Sequence, residues 1–388
     1  MRLPLAIDGG PPVRTTLLPY GRQCIEDDDV EAVASMLREP MLTTGPHVAR
    51  FEAALATRCG VEAAVAVNNG TTALHAMYVA AGLEAGDEVI VPPLTFAATA
   101  VAALWCGARP VFADLDPDTL NLSPAAASRA VTERTRFVVT VDFAGLPSDA
   151  DALTGATGLP IYCDGAHSLG ATRNGRPVQT TFTAATTSFH PVKHITTGEG
   201  GAVLTNDLEL AARVRRFRHH NLVPTPDVGP WAYDLFAPGM NYRLPDINAA
   251  LGVSQLAKLD RFLARRRALV ARYRTLLEPL TTWLELPPGH VDTHAWHLFV
   301  VRVTERFADR RRWVFDALRA ENIGVQMHYA PLHLHPLFRE RFGYAEGHFP
   351  VAEDYGRRAL SLPLFPSMTD ADQDDVVLAL ARVLGVER

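Results

Sequence analysis

The feature that most constrains the fold is an alternation of short apolar runs with helical patterns from about residue 60 to residue 205. The runs are Ala64–Val67, Glu88–Val91, Pro110–Ala113, Phe137–Val141, Pro160–Cys163, Ala184–Phe189 and Gly201–Thr205. Apolar strands separated by helices indicate a mostly parallel sheet that is covered on both faces. Right-handed crossovers bring the strand-to-helix turns to one edge of such a sheet, where α/β folds bind ligands.

The sequence on either side of this alternation has a different pattern. Asp27–Leu37 and Gly45–Ala56 read as helices that follow an extended N-terminal arm. A long helical stretch comes after Asn241–Leu251 and ends near Leu277. A strand, a helix, a strand and a helix are then predicted at Trp296–Val303, Phe307–Glu321, Gly324–His328 and Asp370–Val383. A chain of 388 residues exceeds one ordinary core. We therefore expect an arm and a large domain over residues 1–250, and a smaller α+β domain over residues 251–388.

Charge and apolar runs exclude several classes of protein. The net charge of −6 gives no reason to expect nucleic acid as a partner. The sequence has no uninterrupted run of about 18 apolar residues and no basic segment followed by an apolar one at its start. We therefore expect a cytoplasmic protein without a membrane partner. Scattered cysteines, without a C-x-x-C pair, predict neither disulfides nor a zinc site.

Lysine is almost absent from the sequence. The 37 basic residues include only two lysines, Lys193 and Lys258, which leaves 35 arginines. Arginine can replace lysine as a surface charge, but its guanidinium group cannot form an imine with an aldehyde. Lys258 lies in a helical pattern with charges on one face, so we expect a solvated lysine there. Lys193 is therefore the candidate for amine chemistry.

Two turns after apolar runs carry candidate binding residues. In the sequence NNGTT, Gly70 permits close approach of a ligand, and the hydroxyls of Thr71 and Thr72 stand where a helix opens. Free N–H groups at a helix N-terminus suit a phosphate, although a simple helix cap has the same pattern. Phe96 follows the next run, where an aromatic ring either packs in the core or stacks on a ligand.

The later turns add a carboxylate and the lysine. Asp164 follows an apolar run, where it either pairs with a protonated ring nitrogen or caps the turn. Pro191 prevents a helix after the next run, and Lys193 follows in a loop that closes through GEGG. No helix opens after GEGG, so a dinucleotide-binding loop is not indicated. An amine, a carboxylate, a phosphate cradle and an aromatic plane are what a pyridoxal-phosphate site requires.

Six segments of the sequence resemble signatures of the sugar-nucleotide aminotransferases, the DegT-type family of fold type I pyridoxal-phosphate enzymes. They are GTTALHAM, PLTFAATA, CDGAHSLGA, SFHPVKHITTGEGGAVLTN, GMNYRLPDINAALG and MHYAPLHLHPLF. The resemblance runs from about Ile25 to the C-terminal helix. It implies an α/β, aspartate-aminotransferase-like fold, in which a large domain with a mostly parallel mixed sheet carries a smaller α+β C-terminal domain.

The resemblance also implies roles for residues around the cofactor, pyridoxal 5′-phosphate. Lys193 would hold it as a Schiff base, and Asp164 would pair with its pyridine nitrogen. His167 falls where the family has Gln or His beside the cofactor's phenolic oxygen, and Phe96 falls at the ring-stacking position. Ser188, with the turn that contains Gly70, Thr71 and Thr72, falls at contacts to the phosphate.

Two further segments are assigned by the same resemblance. Asn241, in GMNYRL, matches a position that reaches the cofactor phosphate of the partner subunit, which implies a homodimer with shared active sites. The segment MHYAPLHLHPLF contains three histidines, but no carboxylate spacing fits a metal site and the family uses no metal. We therefore expect no metal, and we expect His328 and Tyr329 to face the sugar substrate.

The implied reaction moves an amino group from glutamate to a nucleotide-linked keto sugar. HSLGA with ITTGEGG resembles members that aminate C4 of a 4-keto-6-deoxy sugar, whereas C3 members more often have Gln at the position of His167. A C3 sugar aminotransferase and an aminocyclitol (inosose-type) aminotransferase stay open as alternatives. A related dehydratase would have histidine in place of Lys193, and a non-catalytic regulator on this fold would not need Lys193.

Overall fold

A computed structural model of the chain describes residues 4–288 and 293–386. Within these ranges the chain forms fourteen strands and thirteen α-helices. The strands are β1 (Ala63–Val67), β2 (Glu88–Val91), β3 (Arg109–Phe112), β4 (Thr135–Val141), β5 (Ile161–Asp164), β6 (Thr172–Arg173), β7 (Arg176–Pro177), β8 (Ala184–Ser188), β9 (Gly201–Thr205), β10 (Leu222–Pro224), β11 (Tyr233–Leu235), β12 (Leu284–Glu285), β13 (Phe299–Val303) and β14 (Ala359–Leu362). The helices are α1 (Asp27–Met36), α2 (Pro46–Cys59), α3 (Gly70–Ala80), α4 (Ala97–Trp105), α5 (Pro124–Ala130), α6 (Ala150–Thr157), α7 (Leu208–Phe217), α8 (Asp246–Leu256), α9 (Leu259–Leu277), α10 (Arg311–Ala320), α11 (Pro336–Phe342), α12 (Pro350–Arg358) and α13 (Asp370–Leu384).

The seven runs predicted as strands together form one mixed sheet in the order β1-β9-β8-β5-β4-β2-β3. Pairs among β8, β5, β4, β2 and β3 are parallel, and β9 pairs antiparallel with both β1 and β8. All strands of this sheet except β9 therefore run in one direction. Their carboxyl ends meet at one edge, which confirms the predicted mostly parallel mixed sheet and the position of its turns.

Each face of the sheet is buried in its own apolar core. Along β1, Val65 and Val67 belong to one core, and Ala64 and Ala66 belong to the other. Successive strand side chains point to opposite faces, so a strand that is buried on both sides reads as a continuous apolar run. This is why the sequence shows unbroken apolar runs instead of the alternation of a half-exposed strand.

The C-terminal part of the chain surrounds a second, smaller sheet with the order β12-β13-β14. The helices α9, α10 and α13 pack their apolar residues on it in a third core. The predicted strand at Gly324–His328 is wrong, because this segment makes only an isolated bridge between Gln326 and Ser361. The third strand is instead β14, which the sequence prediction missed.

The N-terminal arm lies against this C-terminal part. Leu18 forms a parallel bridge with Ile323, and the fully buried carboxylate of Glu321 accepts hydrogen bonds from the backbone N–H groups of Ala6 and Val13. Helix α8 spans the predicted limit between residues 250 and 251. The division into 1–250 and 251–388 is retained as a proposal, with the added observation that the arm packs outside the large sheet.

Lys258 is not the solvated lysine that the charge pattern predicts. It precedes α9 and is only 7% exposed, with Nζ lying 2.5 Å from Asp28 and 2.7 Å from the buried Asp29. Burial alone would lower the pKa of Lys258, but hydrogen bonds to Asp28 and Asp29 raise it. The helical pattern could not reveal this ion pair, because its acidic partners lie on α1, more than 220 residues earlier in the sequence.

Candidate active site

A cavity of about 590 Å³ lies at the carboxyl edge of the large sheet. Ten of the eleven residues singled out from the sequence line it, and Asn241 does not. The ten are Gly70, Thr71, Thr72, Phe96, Asp164, His167, Ser188, Lys193, His328 and Tyr329. The turns after four strands, together with one segment of the C-terminal part, therefore converge on one site.

The turn after β1 opens α3 with a capping box. Asn69 accepts a hydrogen bond from the backbone N–H of Thr72 through its side chain, and the Thr72 hydroxyl reaches back to the backbone of Asn69. Thr71 stays partly exposed toward the cavity. A Cβ at Gly70 would lie 2.9 Å from the Cβ of Ser188, so glycine is what lets β8 pack against this turn. The result is a helix N-terminus with hydroxyl groups beside it.

Asp164 is a buried carboxylate held by neutral donors. The hydroxyl of Thr99 donates to its Oδ2 at 2.6 Å, and the backbone N–H of Ala166 donates to its Oδ1 at 3.2 Å. Thr95 lies 2.7 Å from the Thr99 hydroxyl and extends this chain of hydrogen bonds. Within residues 4–288 and 293–386, no cationic side chain forms an ion pair with Asp164. The site therefore contains a fixed negative charge that a cationic ligand group can neutralise.

Lys193 lies in the loop after β8 and points into the same cavity. Burial lowers the pKa of Lys193 to about 8, against the opposing charge of Asp164, which raises it. With such a pKa, about half of the Lys193 side chains are free amines near pH 8, and the free amine is the state that attacks an aldehyde. Its Nζ lies 3.5 Å from Nε2 of His297, a residue that the sequence did not single out.

A row of aromatic side chains forms the wall beside Lys193. The Tyr329 hydroxyl lies 3.3 Å from Nε2 of His167, and the two rings are nearly parallel. His328 points its Nδ1 at the Ser361 hydroxyl at 2.8 Å, and burial, followed by the charge of Lys193, lowers its pKa to about 3. Burial also lowers the pKa of His167 well below its ordinary value. These histidines are neutral at physiological pH.

Phe96 lines the site at its open side, whereas Asn241 does not line it. Phe96 is 59% exposed at the start of α4, and its ring lies 6.1 Å from that of Tyr329. Asn241 is exposed and follows the β10–β11 hairpin, outside the residues that line the cavity. Its predicted contact with a partner subunit's cofactor stays a prediction.

The segment that carries His297 is held from two sides. The backbone N–H of His297 donates to the Ala144 carbonyl at 2.9 Å, in the turn after β4. From the other side, the buried guanidinium of Arg266 donates to the carbonyls of Trp296 and His297. Trp296 has a φ of +50°, a conformation that costs about 1–3 kcal/mol at a non-glycine residue and persists where its surroundings enforce it.

Sequence reasoning missed His297, Thr99 and Tyr20, all of which belong to the site or support it. Tyr20, from the N-terminal arm, lines the cavity 5.1 Å from the ring of His328. No local pattern marks His297 or Tyr20, because each reaches the site through a contact between segments distant in sequence. For Thr99 the one available signal was the pair of hydroxyl residues in TFAAT, in which Thr95 and Thr99 are four residues apart.

The site fits pyridoxal phosphate in its charges and its shape. Lys193 offers an amine of lowered pKa, and Asp164 offers a buried carboxylate without a counter-ion among the described residues. The helix N-terminus at Gly70, with Thr71 and Ser188 beside it, offers N–H and hydroxyl donors for a phosphate. These are the residues that would hold the aldehyde, ring and phosphate portions of the cofactor.

Comparison with known proteins identifies the family. The model of the DegT/DnrJ/EryC1/StrS aminotransferase family matches residues 23–381. The chain belongs to this family. The relatives of this chain include the spore coat polysaccharide biosynthesis protein SpsC of Bacillus subtilis, which is 40% identical over 382 residues that cover 96% of this chain and 98% of SpsC.

Two solved structures are similar to nearly the whole chain. The putative sugar aminotransferase Spr1654 of Streptococcus pneumoniae has been solved in forms with PLP, with PMP and without cofactor; its PLP form is 26% identical, with a TM-score of 0.89 over 95% of this chain and 98% of that one. DesI, solved in the presence of its TDP-sugar product, is 33% identical, with a TM-score of 0.87 over 98% of this chain and 97% of that one. The predicted family, fold type and cofactor are confirmed, and the chain is a pyridoxal-phosphate-dependent sugar aminotransferase.

Two further observations concern metal binding and membrane-spanning helices. In the described part of the chain, no group of three or more His, Cys, Asp or Glu side chains is arranged to hold a metal ion. His333 instead pairs with Glu353 at 2.9 Å, away from the active-site cavity. Across residues 4–288 and 293–386, none of the helices combines the length and apolarity needed to span a lipid bilayer.

Proposed function

We propose that this DegT-family enzyme transfers the amino group of glutamate to C4 of a nucleotide-linked 4-keto-6-deoxy sugar. The observation that carries the proposal is that one cavity contains both Lys193, an amine of lowered pKa, and the buried carboxylate of Asp164. The TDP-sugar product of DesI supports a nucleotide-linked substrate. The C4 position rests on the resemblance of the His167 and GEGG segments to C4 members of the family.

The proposed roles follow from the chemistry of each side chain. Pyridoxal phosphate, when bound, supplies an aldehyde that amines attack and an electron-withdrawing ring. Lys193 would bind the cofactor through Nζ. Once displaced by the amino donor, it would move a proton from the donor's α-carbon to the carbon that was the cofactor's aldehyde carbon. Asp164 would hold a proton on the ring nitrogen, and Thr99 would keep its carboxylate in place. His328 and Tyr329 would contact the sugar.

The wall of neutral histidines supports a carbohydrate substrate. A keto sugar presents hydroxyl groups without charge, and neutral imidazole and phenol groups both donate and accept hydrogen bonds. His167, His328 and Tyr329 supply such groups on one side of the cavity, and Tyr20 adds a further hydroxyl from the arm. The open side beside Phe96 leaves room for a nucleotide to extend away from the reacting carbon.

We further propose that the active unit is a homodimer. The β10–β11 hairpin exposes Trp231 to 77% and Phe236 to 79%, an apolar surface that monomeric proteins rarely leave uncovered. Asn241 lies six residues after the end of β11. A partner chain that covers the hairpin would bring Asn241 toward the open side of a second cavity.

A panel of half-reactions tests the sugar and the donor. The amino form of the enzyme is prepared with glutamate, and its single-turnover conversion is followed by absorbance after mixing with each ketone. The panel contains a nucleotide-linked 4-keto-6-deoxy sugar, a nucleotide-linked 3-keto sugar and a free inosose. We expect the 4-keto sugar to react fastest. A faster 3-keto sugar or inosose would replace the proposed substrate by that alternative, and failure of glutamate to form the amino form would refute the donor.

Lys193→Arg is the matched control for the chemistry. It keeps a positive charge and a long side chain, but a guanidinium group does not condense with an aldehyde. We expect the visible absorbance of lysine-bound cofactor and all transamination to be lost. Normal turnover in this variant would refute the role assigned to Lys193.

A further inference from the structure

In the described part of the chain, one polar side chain lies within hydrogen-bonding range of the Lys193 amine, and it belongs to His297. The Nζ–Nε2 distance is 3.5 Å, which is long for a hydrogen bond. Such contacts are often long in sites that lack their ligand and shorten when it binds.

The ring of His297 is fixed independently of Lys193. Its backbone N–H donates to the carbonyl of Ala144, and its carbonyl accepts a hydrogen bond from Arg266. The residue is only 4% exposed. The ring packs against His167, with centroids 4.3 Å apart, and lies 5.7 Å from His194. Its Nδ1 is buried and has no partner among residues 4–288 and 293–386. Packing therefore holds the ring, and Nε2 is the atom that it presents to the amine.

His297 remains neutral beside the lysine. The titratable groups that interact with the charge of Lys193 are Asp164 and the buried histidines at 167, 194, 297 and 328. Tyr20, His190, Glu199 and Tyr329 also line the cavity. Burial, followed by the charge of Lys193, lowers the pKa of His297 well below its ordinary value. A neutral imidazole with its proton on Nδ1 can accept a hydrogen bond at Nε2 from the ammonium or the free amine, and the bond from the ammonium is the stronger. A carboxylate in its place would favour the ammonium form and oppose condensation with an aldehyde.

We propose that His297 is a positioning residue for Lys193 and holds the ε-amine at the cavity wall whenever the amine is not joined to the cofactor. The inference rests on the proposed role of Lys193. An amine that is released and must return in each half-reaction has four rotatable side-chain bonds to order, and a fixed hydrogen-bond partner restricts that search. The Lys193 amine then stays within reach of both the α-carbon of the amino donor and the cofactor.

The low lysine content of the sequence makes a direct test available. Lysine labelled with carbon-13 at Cε gives two NMR signals in the full-length, cofactor-free chain, since Lys193 and Lys258 are its only lysines. Each signal reports the protonation of its own Nζ, and Lys193→Arg assigns them. The pKa of Lys193 is measured in the wild type and in His297→Leu, His297→Met and His297→Gln. The Lys258 signal is an internal control for folding.

Loss of the acceptor should lower the pKa of Lys193, because a hydrogen bond to an ammonium group favours the charged form. We expect a decrease of about one unit in His297→Leu and His297→Met, and a value near that of the wild type in His297→Gln, whose amide oxygen is an acceptor. An unchanged or raised pKa in the apolar variants overturns the proposal. So does a decrease in His297→Gln as large as that in His297→Leu. Methionine fills irregular space, so one apolar variant remains if leucine does not fold.

This result is separable from the test of function. The titration needs neither cofactor nor substrate, so the predicted order of pKa values can be obtained even if no ketone in the panel reacts. In that case the positioning of Lys193 stands and the proposed substrate fails. If the ketones react but the pKa order is not found, the proposed function stands and the role of His297 fails.

Discussion

Asp164 is held in the site by donors that carry no charge, and this has a consequence for rate. The Thr99 hydroxyl and the Ala166 backbone N–H fix the carboxylate without neutralising it. Removing the charge of Asp164 and removing the hydrogen bond from Thr99 should therefore slow the reaction by different amounts. The two residues can be compared in the same assay.

We predict the rate order wild type, then Thr99→Val, then Asp164→Asn for the single turnover with glutamate. Asp164→Asn keeps the shape but removes the charge; if that charge contributes about 4 kcal/mol in the transition state, the step slows roughly a thousandfold. Thr99→Val removes one hydrogen bond to the carboxylate, and we expect roughly a tenfold loss. Thr99→Ser is the matched control. Near-native rates with Asn at 164 would mean that another residue holds the ring nitrogen.

Lys258 offers a prediction about stability that the sequence would not have suggested. Lys258→Ala leaves the carboxylate of Asp29 fully buried without its cation. We expect a loss of about 3 kcal/mol, at the low end for breaking a buried ion pair, because Asp28 and Glu26 are partly exposed.

The measurement for Lys258 is the thermal unfolding midpoint of the cofactor-loaded protein. We expect a decrease on the order of 5 °C for Lys258→Ala and a smaller one for Lys258→Arg, which keeps the charge but not the compact ammonium. Arg261→Ala, which removes an exposed partner of Glu26, is the control and should change the midpoint little. A similar midpoint for Lys258→Ala and wild type would show that the ion pair contributes nothing.

At the scale of elements, the packing of α3 against β8 requires a residue without a side chain, Gly70, at the start of α3. Gly70→Ala would place a Cβ 2.9 Å from the Cβ of Ser188, so one of the two elements must move. We predict a lower affinity for pyridoxal phosphate, because the helix N-terminus and the Ser188 hydroxyl would no longer be aligned. Equilibrium binding of the cofactor measures the effect.

The second substitution Ser188→Gly separates crowding from other causes. It removes the atoms that a Cβ at position 70 would meet, so the double variant should recover part of the affinity that Gly70→Ala loses. Ser188→Gly alone measures what the lost hydroxyl contributes. Unchanged affinity in Gly70→Ala would show that the close approach is not needed for cofactor binding.

The elements also show which parts of the fold a single sequence can predict. The seven strands of the large sheet were found within two residues at each end, because burial on both faces produces continuous apolar runs. The strand predicted at 324–328 is wrong, and β14 was missed, because both are short and their pairing is decided by tertiary contacts. The same reason applies in the site: Lys193 and Asp164 follow strands, whereas His297 is placed by hydrogen bonds to Ala144 and Arg266.

At the scale of the whole molecule, the proposed dimer predicts complementation between inactive chains. In a mixed dimer of Lys193→Ala and Asn241→Asp, one cavity would combine Lys193 from one chain with Asn241 from the other. Random mixing should restore about a quarter of the wild-type activity, since half of the dimers are mixed and each has one complete site. Activity is assayed after co-refolding, and mass spectrometry confirms the mixed dimers. Mixed dimers without activity would exclude shared sites.

The burial of Lys258 and the placement of Lys193 leave this protein without an exposed side-chain amine. Free pyridoxal phosphate condenses with accessible lysines on ordinary proteins, which blurs any count of specifically bound cofactor. Of the two lysines in this sequence, Lys193 lines the cavity and Lys258 is buried in an ion pair. Cofactor bound per chain should therefore saturate close to one equivalent. A simple colour measurement then becomes an active-site titration that reports the fraction of intact pockets before any substrate is known.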